Sequence, residues 1–142
     1  MSNVGPQLTV KPIAGALGAE IHGVDLSSGV SDTALEHIRE IWLQYSVIFF
    51  RDQPLPPKDF SAFARRFGEV VHYPFLKGLD EAPEVITVAK LEHERVNFGG
   101  LWHTDTAYLD VPPMATMLVA REVPAYGGDT LFASGYAAYD AL

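Results

Sequence analysis

The sequence predicts a mixed α+β fold that is mainly β, and three observations support this. Short apolar stretches of strand length outnumber the stretches whose apolar residues recur at helical spacing. Clusters of proline and glycine separate these stretches, as is typical of turns between short elements. The 142 residues are 48% hydrophobic and 20% charged, which fits a single folded domain and excludes disordered or low-complexity classes.

The first third of the chain predicts a hairpin, then a helix and a buried strand. Residues 8–13 and 17–21 are short strand-like stretches punctuated by glycine. Residues 31–45 place apolar side chains at helical spacing, and the pair Thr33–Glu36 predicts a capping box. The apolar run 46–50 predicts a buried strand, which the prolines that follow it end.

The rest of the chain predicts one more complete helix and then several strands. Residues 57–67 form an amphipathic helix with Gly68 as its carboxy-terminal cap, and Arg65 and Arg66 are expected to be solvated. Residues 91–100 predict a long loop. A helical pattern begins at Gly135 and continues to the end of the sequence. Strands are predicted over residues 84–88, 101–108, 114–120 and 129–133.

Charge and cysteine content exclude several classes of function. Ten basic and eighteen acidic residues give a formal net charge of −8, which repels phosphate backbones and anionic lipids, so neither nucleic acid nor membrane is an expected partner. There is no cysteine, so any metal must bind to nitrogen and oxygen ligands. The sequence has no signal-like or membrane-spanning apolar stretch, and a cytoplasmic location is expected.

His103 and Asp105 are the candidate metal ligands. On a strand, residues two apart point to the same face, so the imidazole and the carboxylate would meet one metal ion. With a second imidazole from elsewhere they would form the facial triad of non-haem iron(II) sites, which leaves positions open for oxygen. Spacing alone favours the alternative, in which the Asp105 carboxylate or a backbone carbonyl simply holds the His103 ring and no metal binds. A zinc hydrolase is a weaker alternative, because no general-base motif accompanies the pair.

A series of motifs surrounds this pair in a fixed order. They are Gly23–Leu26, Val47–Gln53, Phe67–Glu69, Trp102–Asp105, Pro112–Pro113, Tyr126–Leu131 and Ala137–Leu142. Together they resemble the taurine dioxygenase (TauD/TfdA) family of iron(II)- and 2-oxoglutarate-dependent dioxygenases. The resemblance implies a double-stranded β-helix, or jelly roll, with flanking helices, and Fe(II), 2-oxoglutarate and O2 as cofactor and co-substrates. It implies that His103 and Asp105 bind the metal and that the Thr130 hydroxyl binds a carboxylate oxygen of 2-oxoglutarate.

The resemblance is weaker where the substrate would bind. The taurine enzyme binds its sulfonate with a histidine and an asparagine, and the corresponding positions here carry Tyr73 and Gly99, although His72 and Asn97 lie close by. The substrate-binding residues are therefore left unassigned, and no further catalytic side chain is nominated. The expected substrate is a small organic molecule such as a sulfonate, a sulfate ester or an aryloxyalkanoate.

The resemblance also implies that residues 1–142 are the amino-terminal portion of a single dioxygenase domain. In the family, the distal histidine ligand and the arginine that binds 2-oxoglutarate come from the carboxy-terminal half. We therefore expect this chain to be an inactive fragment of a longer enzyme. The alternative is a short degenerate relative that binds a partner or subunit through unpaired sheet edges and through the apolar surface that the missing half would have covered. The oligomeric state, including a homo-oligomer, is left open.

Overall fold

A computed structural model describes residues 8–73, 75–96 and 99–142. Two compact units are present, one formed by the residues up to Leu55 together with Ala120–Leu142 and the other by Pro56–Val119. The strands are β1 (Thr9–Pro12), β2 (Ala19–His22) and β3 (Ile48–Phe49), and the helices are α1 (Asp32–Tyr45), α2 (Pro57–Arg65) and α3 (Gly135–Asp140). The strands contain four, four and two residues and the helices fourteen, nine and six. The fold is therefore mixed, but helix exceeds strand in the described residues.

The predicted hairpin is confirmed. Strands β1 and β2 pair antiparallel from Thr9 opposite His22 to Pro12 opposite Ala19. The connecting loop closes through a hydrogen bond of 3.0 Å from the Ile13 amide to the Gly18 carbonyl. Gly18 has a φ of +95°, and a Cβ there would lie 2.9 Å from the Ile13 side chain. Only glycine fits this turn without strain.

Helix α1 confirms the predicted helix but not its predicted cap. Ser31 is the N-cap, and its hydroxyl accepts a hydrogen bond of 3.2 Å from the Ala34 amide. The capping box expected at Thr33–Glu36 is therefore wrong by two residues, because Thr33 already lies inside the helix. A serine hydroxyl at the N-cap satisfies one of the amides that the first helical turn leaves without an acceptor.

The sheet of the first unit has the order β1, β2, β3, and its last two strands are parallel. Ala19 lies opposite Ile48, and Glu20 lies opposite Phe49, so only these two residues of the predicted strand 46–50 pair beside the hairpin, and they are half-buried where a buried strand was predicted. Helix α1 is the connection between β2 and β3, as parallel strands require. The buried apolar residues of this unit are Ala19, Ile21, Leu26, Val30, Ala34, Ile38, Ile41 and Leu55.

Gln53 joins two segments of the first unit through its side-chain amide. Its Oε1 accepts a hydrogen bond of 2.8 Å from the Leu26 amide. Its Nε2 donates to the carbonyl of Val24 at 3.2 Å and to that of Arg51 at 3.0 Å. One side chain thus satisfies backbone groups in the loop after β2 and in the turn after β3, and both segments belong to the motifs identified in the sequence.

The second unit is built around α2. Phe63 is buried, and its ring packs edge to face against Phe67 with centroids 5.3 Å apart. The helix ends at Arg65 with Arg66 as its C-cap, and Gly68 does not adopt a left-handed conformation, so the predicted glycine cap is wrong. Arg65 is also not simply solvated, because it pairs with Glu84 at 2.6 Å.

The four strands predicted after residue 83 are not strands in this structure. Residues 84–88, 101–108, 114–120 and 129–133 form no ladder with any described residue. A β-strand exists only where a neighbouring strand completes its backbone hydrogen bonds, and apolar alternation does not supply that neighbour. The expectation that strands dominate is therefore wrong for the described residues. The helical pattern from Gly135 is confirmed by α3, which Ser134 caps.

Candidate metal site

His103 and Asp105 lie side by side in the second unit. The distance from His103 Nε2 to Asp105 Oδ1 is 3.2 Å. This segment is not a strand, and the chain instead bends after Asp105, where Thr106 has a φ of +48°. A β-branched residue rarely adopts such a conformation, so the turn beside the pair is strained. The structure brings the two predicted ligands together, but by a turn and not by the period of a strand.

The backbone carbonyl of Leu101 fixes the orientation of the His103 ring. This oxygen lies 2.6 Å from Nδ1, and because a carbonyl can only accept, Nδ1 carries the proton of this hydrogen bond. In the neutral ring the lone pair of Nε2 then faces the Asp105 carboxylate. Sequence reasoning missed Leu101, since the interacting atom belongs to the backbone and is independent of the side-chain type.

The donor set and its spacing fit a divalent metal ion. Two neighbouring ligands at about 2.1 Å from an octahedral ion lie about 3.0 Å apart, close to the observed 3.2 Å. A hydrogen bond from the remote nitrogen to a carbonyl is the usual way in which a histidine ligand is oriented. Both side chains are about half exposed, 53% for His103 and 52% for Asp105, so an ion can reach them from solvent.

The described residues bring together two candidate metal ligands, His103 and Asp105, but no third. Within residues 8–73, 75–96 and 99–142, no group of three or more His, Cys, Asp or Glu side chains is arranged to hold a metal ion. The pair alone would bind a metal weakly, because each missing ligand removes one of the bonds that compensate for dehydration of the ion.

Thr130, the predicted ligand of 2-oxoglutarate, lies in the first unit, whereas the His103 and Asp105 pair lies in the second. It is exposed and outside regular secondary structure. Gly127 and Gly128 precede it with φ values of +76° and +73°, which makes a glycine turn before the threonine. Two residues after Thr130, the Phe132 ring packs edge to face on Phe49 of β3 with centroids 6.3 Å apart.

The positions considered for substrate binding lie on loops. His72 is exposed, and Tyr73 packs edge to face on Phe75 with centroids 5.4 Å apart. Gly99 lies close to the His103 ring, since a Cβ added there would be in close contact with it, 3.2 Å from Cε1. Asn97 lies outside the described residues. Sequence reasoning identified Gly99 only as a departure from the family pattern and missed this contact.

A separate cavity of about 470 Å³ lies in the first unit, lined in part by His22, Asp25, Arg51 and Gln53. His103 and Asp105 do not line it, so it is distinct from the candidate metal pair. Among the described residues, none of the helices has the length and apolar character needed to cross a membrane.

Comparison with known proteins gives a family and several relatives. Residues 9–142 match the family described as "Taurine catabolism dioxygenase TauD, TfdA family". The chain is 36% identical over 137 residues to an alpha-ketoglutarate-dependent sulfate ester dioxygenase of Pseudomonas putida. The alignment covers 96% of this chain and 44% of that protein. It is 32% identical over 143 residues to an alkylsulfatase of Acinetobacter baylyi, covering 100% of this chain and 44% of that protein.

Further similarity extends to a third relative and to a solved structure. A (S)-phenoxypropionate/alpha-ketoglutarate-dioxygenase of Sphingobium herbicidovorans is 30% identical over 98% of this chain and 49% of its own length. A crystal structure of a taurine dioxygenase from Burkholderia xenovorans superposes with a TM-score of 0.51 at 37% identity, covering 55% of this chain and 28% of that one. The chain thus spans less than half the length of these relatives. Since the family match covers nearly all of its sequence, the chain belongs to the TauD/TfdA family of taurine catabolism dioxygenases.

Proposed function

We propose that this chain supplies His103 and Asp105 to the metal site of an iron(II)- and 2-oxoglutarate-dependent dioxygenase. The observation that carries the proposal is the orientation of the His103 ring. With its proton on Nδ1, the ring directs the lone pair of Nε2 at the Asp105 carboxylate 3.2 Å away. Two acceptors at this distance repel each other unless a metal cation or a proton lies between them.

Membership of the family supports the metal cation as the species between them. Iron(II) with 2-oxoglutarate and O2 supplies the oxidising power that attacks an unreactive C–H bond, while the protein binds and orients the reactants. In this proposal His103 and Asp105 hold the ion through Nε2 and a carboxylate oxygen. The Thr130 hydroxyl donates a hydrogen bond to a carboxylate oxygen of 2-oxoglutarate.

We further propose that residues 1–142 are the amino-terminal portion of one jelly-roll dioxygenase domain. The family match over residues 9–142 and the coverage of 44% of two relatives support this arrangement. The third metal ligand and the arginine that binds the far carboxylate of 2-oxoglutarate would then come from outside these residues. In their absence the 142-residue chain is expected to bind the metal weakly and to be inactive.

The proposed substrate is a small organic anion. The relatives are named for sulfate esters, alkyl sulfates and phenoxypropionate, which share an anionic group attached to a hydrophobic body. We propose the same class for this protein, handled in the cytoplasm, without assigning the residues that bind it. A screen of sulfate esters, sulfonates and aryloxyalkanoates for substrate-dependent succinate formation, in the longest available form of the protein, would identify the member.

The metal role is tested by anaerobic titration of iron(II) and 2-oxoglutarate into the 142-residue chain and into any longer form. Bound together, the two reactants give a visible metal-to-ligand charge-transfer band. We expect the band in the longer wild-type form, at most a weak band in the 142-residue chain, and loss of the band when His103→Ala or Asp105→Ala is made in the longer form. His93→Ala is the matched control, since His93 lies on an exposed loop. A longer wild-type form without the band, or a band that His103→Ala leaves unchanged, would refute the metal site.

One observation favours a second function, which is protein–protein binding, either to a partner or to a second copy of this chain. Several large apolar side chains are exposed, among them Leu101 at 85%, Val111 at 82% and Tyr126 at 91%. Where exposed apolar side chains form one contiguous patch, they are typical of protein interfaces. Light scattering of the purified chain over a range of concentrations tests whether copies associate. A monomer at all concentrations would refute binding between copies of this chain. A homo-oligomer would support it.

A further inference from the structure

Gly99 lies against the edge of the His103 ring that carries both nitrogens. An ideal Cβ on Gly99 would be 3.2 Å from Cε1, the carbon between the two nitrogens, and 3.7 Å from Nε2. A Cβ at 3.2 Å is closer than nearly all real contacts of this kind, so the ring would have to move by a few tenths of an ångström. Any side chain at position 99 therefore pushes on the ring at the atom next to the proposed metal-binding nitrogen.

The His103 ring is also held at its two nitrogens. Nδ1 lies 2.6 Å from the Leu101 carbonyl, and Nε2 lies 3.2 Å from Asp105 Oδ1. A movement that relieves a contact at Cε1 displaces both of these atoms, because the imidazole is rigid. The position of the ring is thus set on three sides, by Gly99, Leu101 and Asp105.

The backbone at Gly99 adds a second requirement. Its φ of +71° lies in the left-handed region, where a residue with a Cβ is disfavoured. The backbone turn and the close approach of the ring both depend on the missing side chain. A backbone effect and a contact effect can be separated experimentally, because other glycines of this chain have positive φ without any neighbour at the Cβ position.

We infer that Gly99 is a positioning residue for His103. The missing side chain lets the imidazole lie close to the turn, with Nδ1 on the Leu101 carbonyl and Nε2 toward Asp105. Gly99 contacts neither metal nor substrate in this role and acts through the orientation of the ring. The inference rests on the proposed function only in stating that the orientation serves metal binding.

The test uses the 142-residue protein labelled with ¹⁵N at histidine. At about pH 8, where ordinary histidines are neutral, long-range ¹H–¹⁵N spectra report which ring nitrogen carries the proton. We expect His103 of the wild type to be protonated at Nδ1 and that of Gly99→Ala to be a mixture of both forms. Titration with Co(II) alone, followed by broadening of the His103 signals, gives the metal affinity. We expect Gly99→Ala to weaken it about tenfold, as is typical when the support of a metal ligand is disturbed.

Two further variants separate the possible causes. Gly29→Ala is the matched control for backbone strain, since Gly29 has a φ of +85° and nothing within 4 Å of its Cβ position. It should leave the tautomer of His103 and the Co(II) affinity unchanged. Gly99→Asn adds a Cβ in a residue that tolerates positive φ, so it tests the contact even if Gly99→Ala does not fold.

The results distinguish the inference from the proposed function. A wild-type tautomer and wild-type Co(II) affinity in the folded Gly99 variants would overturn the role of Gly99. Equal Co(II) affinity of the wild type and Asp105→Ala, or His103 signals of the wild type that Co(II) does not broaden, would overturn the metal site. In that case the tautomer of His103 in the Gly99 variants still decides whether Gly99 orients the ring.

Discussion

Arg65 and Glu84 form an ion pair that joins α2 to the segment that follows the turn at Ala82. Arg65 Nη2 lies 2.6 Å from Glu84 Oε1, and the Ser61 hydroxyl donates to the same oxygen. The Glu84 side chain is only 6% exposed, so its charge is withdrawn from water and depends on these partners. Two residues one helical turn apart on α2 thus converge on a single buried carboxylate.

This carboxylate predicts a pH dependence of stability. The hydrogen bond from Ser61, a backbone hydrogen bond and the Arg65 guanidinium lower the pKa of Glu84 from 4.5 to about 2. Because the folded-state pKa lies below the unfolded one, the carboxylate stabilises the fold fully above about pH 4.5. This contribution is lost as the pH falls toward 2. We expect part of the acid-induced fall in the urea midpoint to vanish in Glu84→Gln.

The matched control for this change is Glu81→Gln, since Glu81 is exposed three residues away. It should keep the wild-type dependence of the urea midpoint between pH 7 and pH 3. If Glu84→Gln and Glu81→Gln lose stability in parallel with the wild type over this range, the ion pair does not contribute to acid sensitivity.

Gln53→Ala should destabilise the first unit. The change removes three hydrogen bonds and leaves the Leu26 amide, which lies next to a buried side chain, without its acceptor. An unsatisfied backbone group of this kind costs about 1 to 3 kcal/mol. Urea unfolding followed by circular dichroism measures the effect, with Gln44→Ala on the exposed face of α1 as the control. Equal midpoints for the two variants would show that the Gln53 contacts contribute no net stability.

The cap of α1 gives a prediction that discriminates between two neighbouring hydroxyls. Ser31→Ala should cost about 1 kcal/mol, because its hydroxyl accepts the hydrogen bond of the Ala34 amide. Thr33→Ala should be neutral or slightly stabilising, since Thr33 lies inside the helix and alanine is the better helix former. Thermal unfolding of both variants measures the difference. The reverse ranking would restore the capping box predicted from the sequence.

Thr130 gives a prediction that rests on the proposed function. Thr130→Val keeps the shape of the side chain but removes the hydroxyl donor, whereas Thr130→Ser keeps the hydroxyl. A hydrogen bond to a charged carboxylate contributes about 1.5 to 3 kcal/mol, so Thr130→Val should bind 2-oxoglutarate at least about tenfold more weakly. Anaerobic titration of 2-oxoglutarate in the presence of iron(II), in the longest available form of the protein, measures this affinity. Thr116→Val, at another exposed threonine, should leave it unchanged; equal losses in all three variants would argue against a specific role.

The elements that the sequence predicts well are those governed by local patterns. The hairpin, α1, α2 and α3 follow from apolar spacing over a few residues and from glycine and proline at their ends. The strands predicted at residues 101–108 and 129–133 fail because a strand also needs a partner, and partners depend on long-range pairing. The cap was predicted at Thr33 because the apolar pattern of a helix fixes its first residue only to within about two positions. The hydrogen bond of the cap admits one position, and that position is Ser31.

In the candidate site, too, the residue types were predictable from the sequence and their geometry was not. The order of motifs identified the family and nominated His103 and Asp105, and the side-chain chemistry of these two residues indicated a nitrogen and oxygen metal site. The predicted cause of their proximity was the period of a strand. In the structure the cause is a bend, with Thr106 in a left-handed conformation and the Leu101 carbonyl on the ring.

The sequence by itself therefore determined the family of this protein, its local helices and the residues that carry its proposed chemistry. Only the tertiary structure decided which distant groups meet. Gln53 reaches the Leu26 amide across 27 positions, and Arg65 reaches Glu84 across 19. Such partners are fixed by the path of the whole chain, and no local pattern of residue types specifies that path.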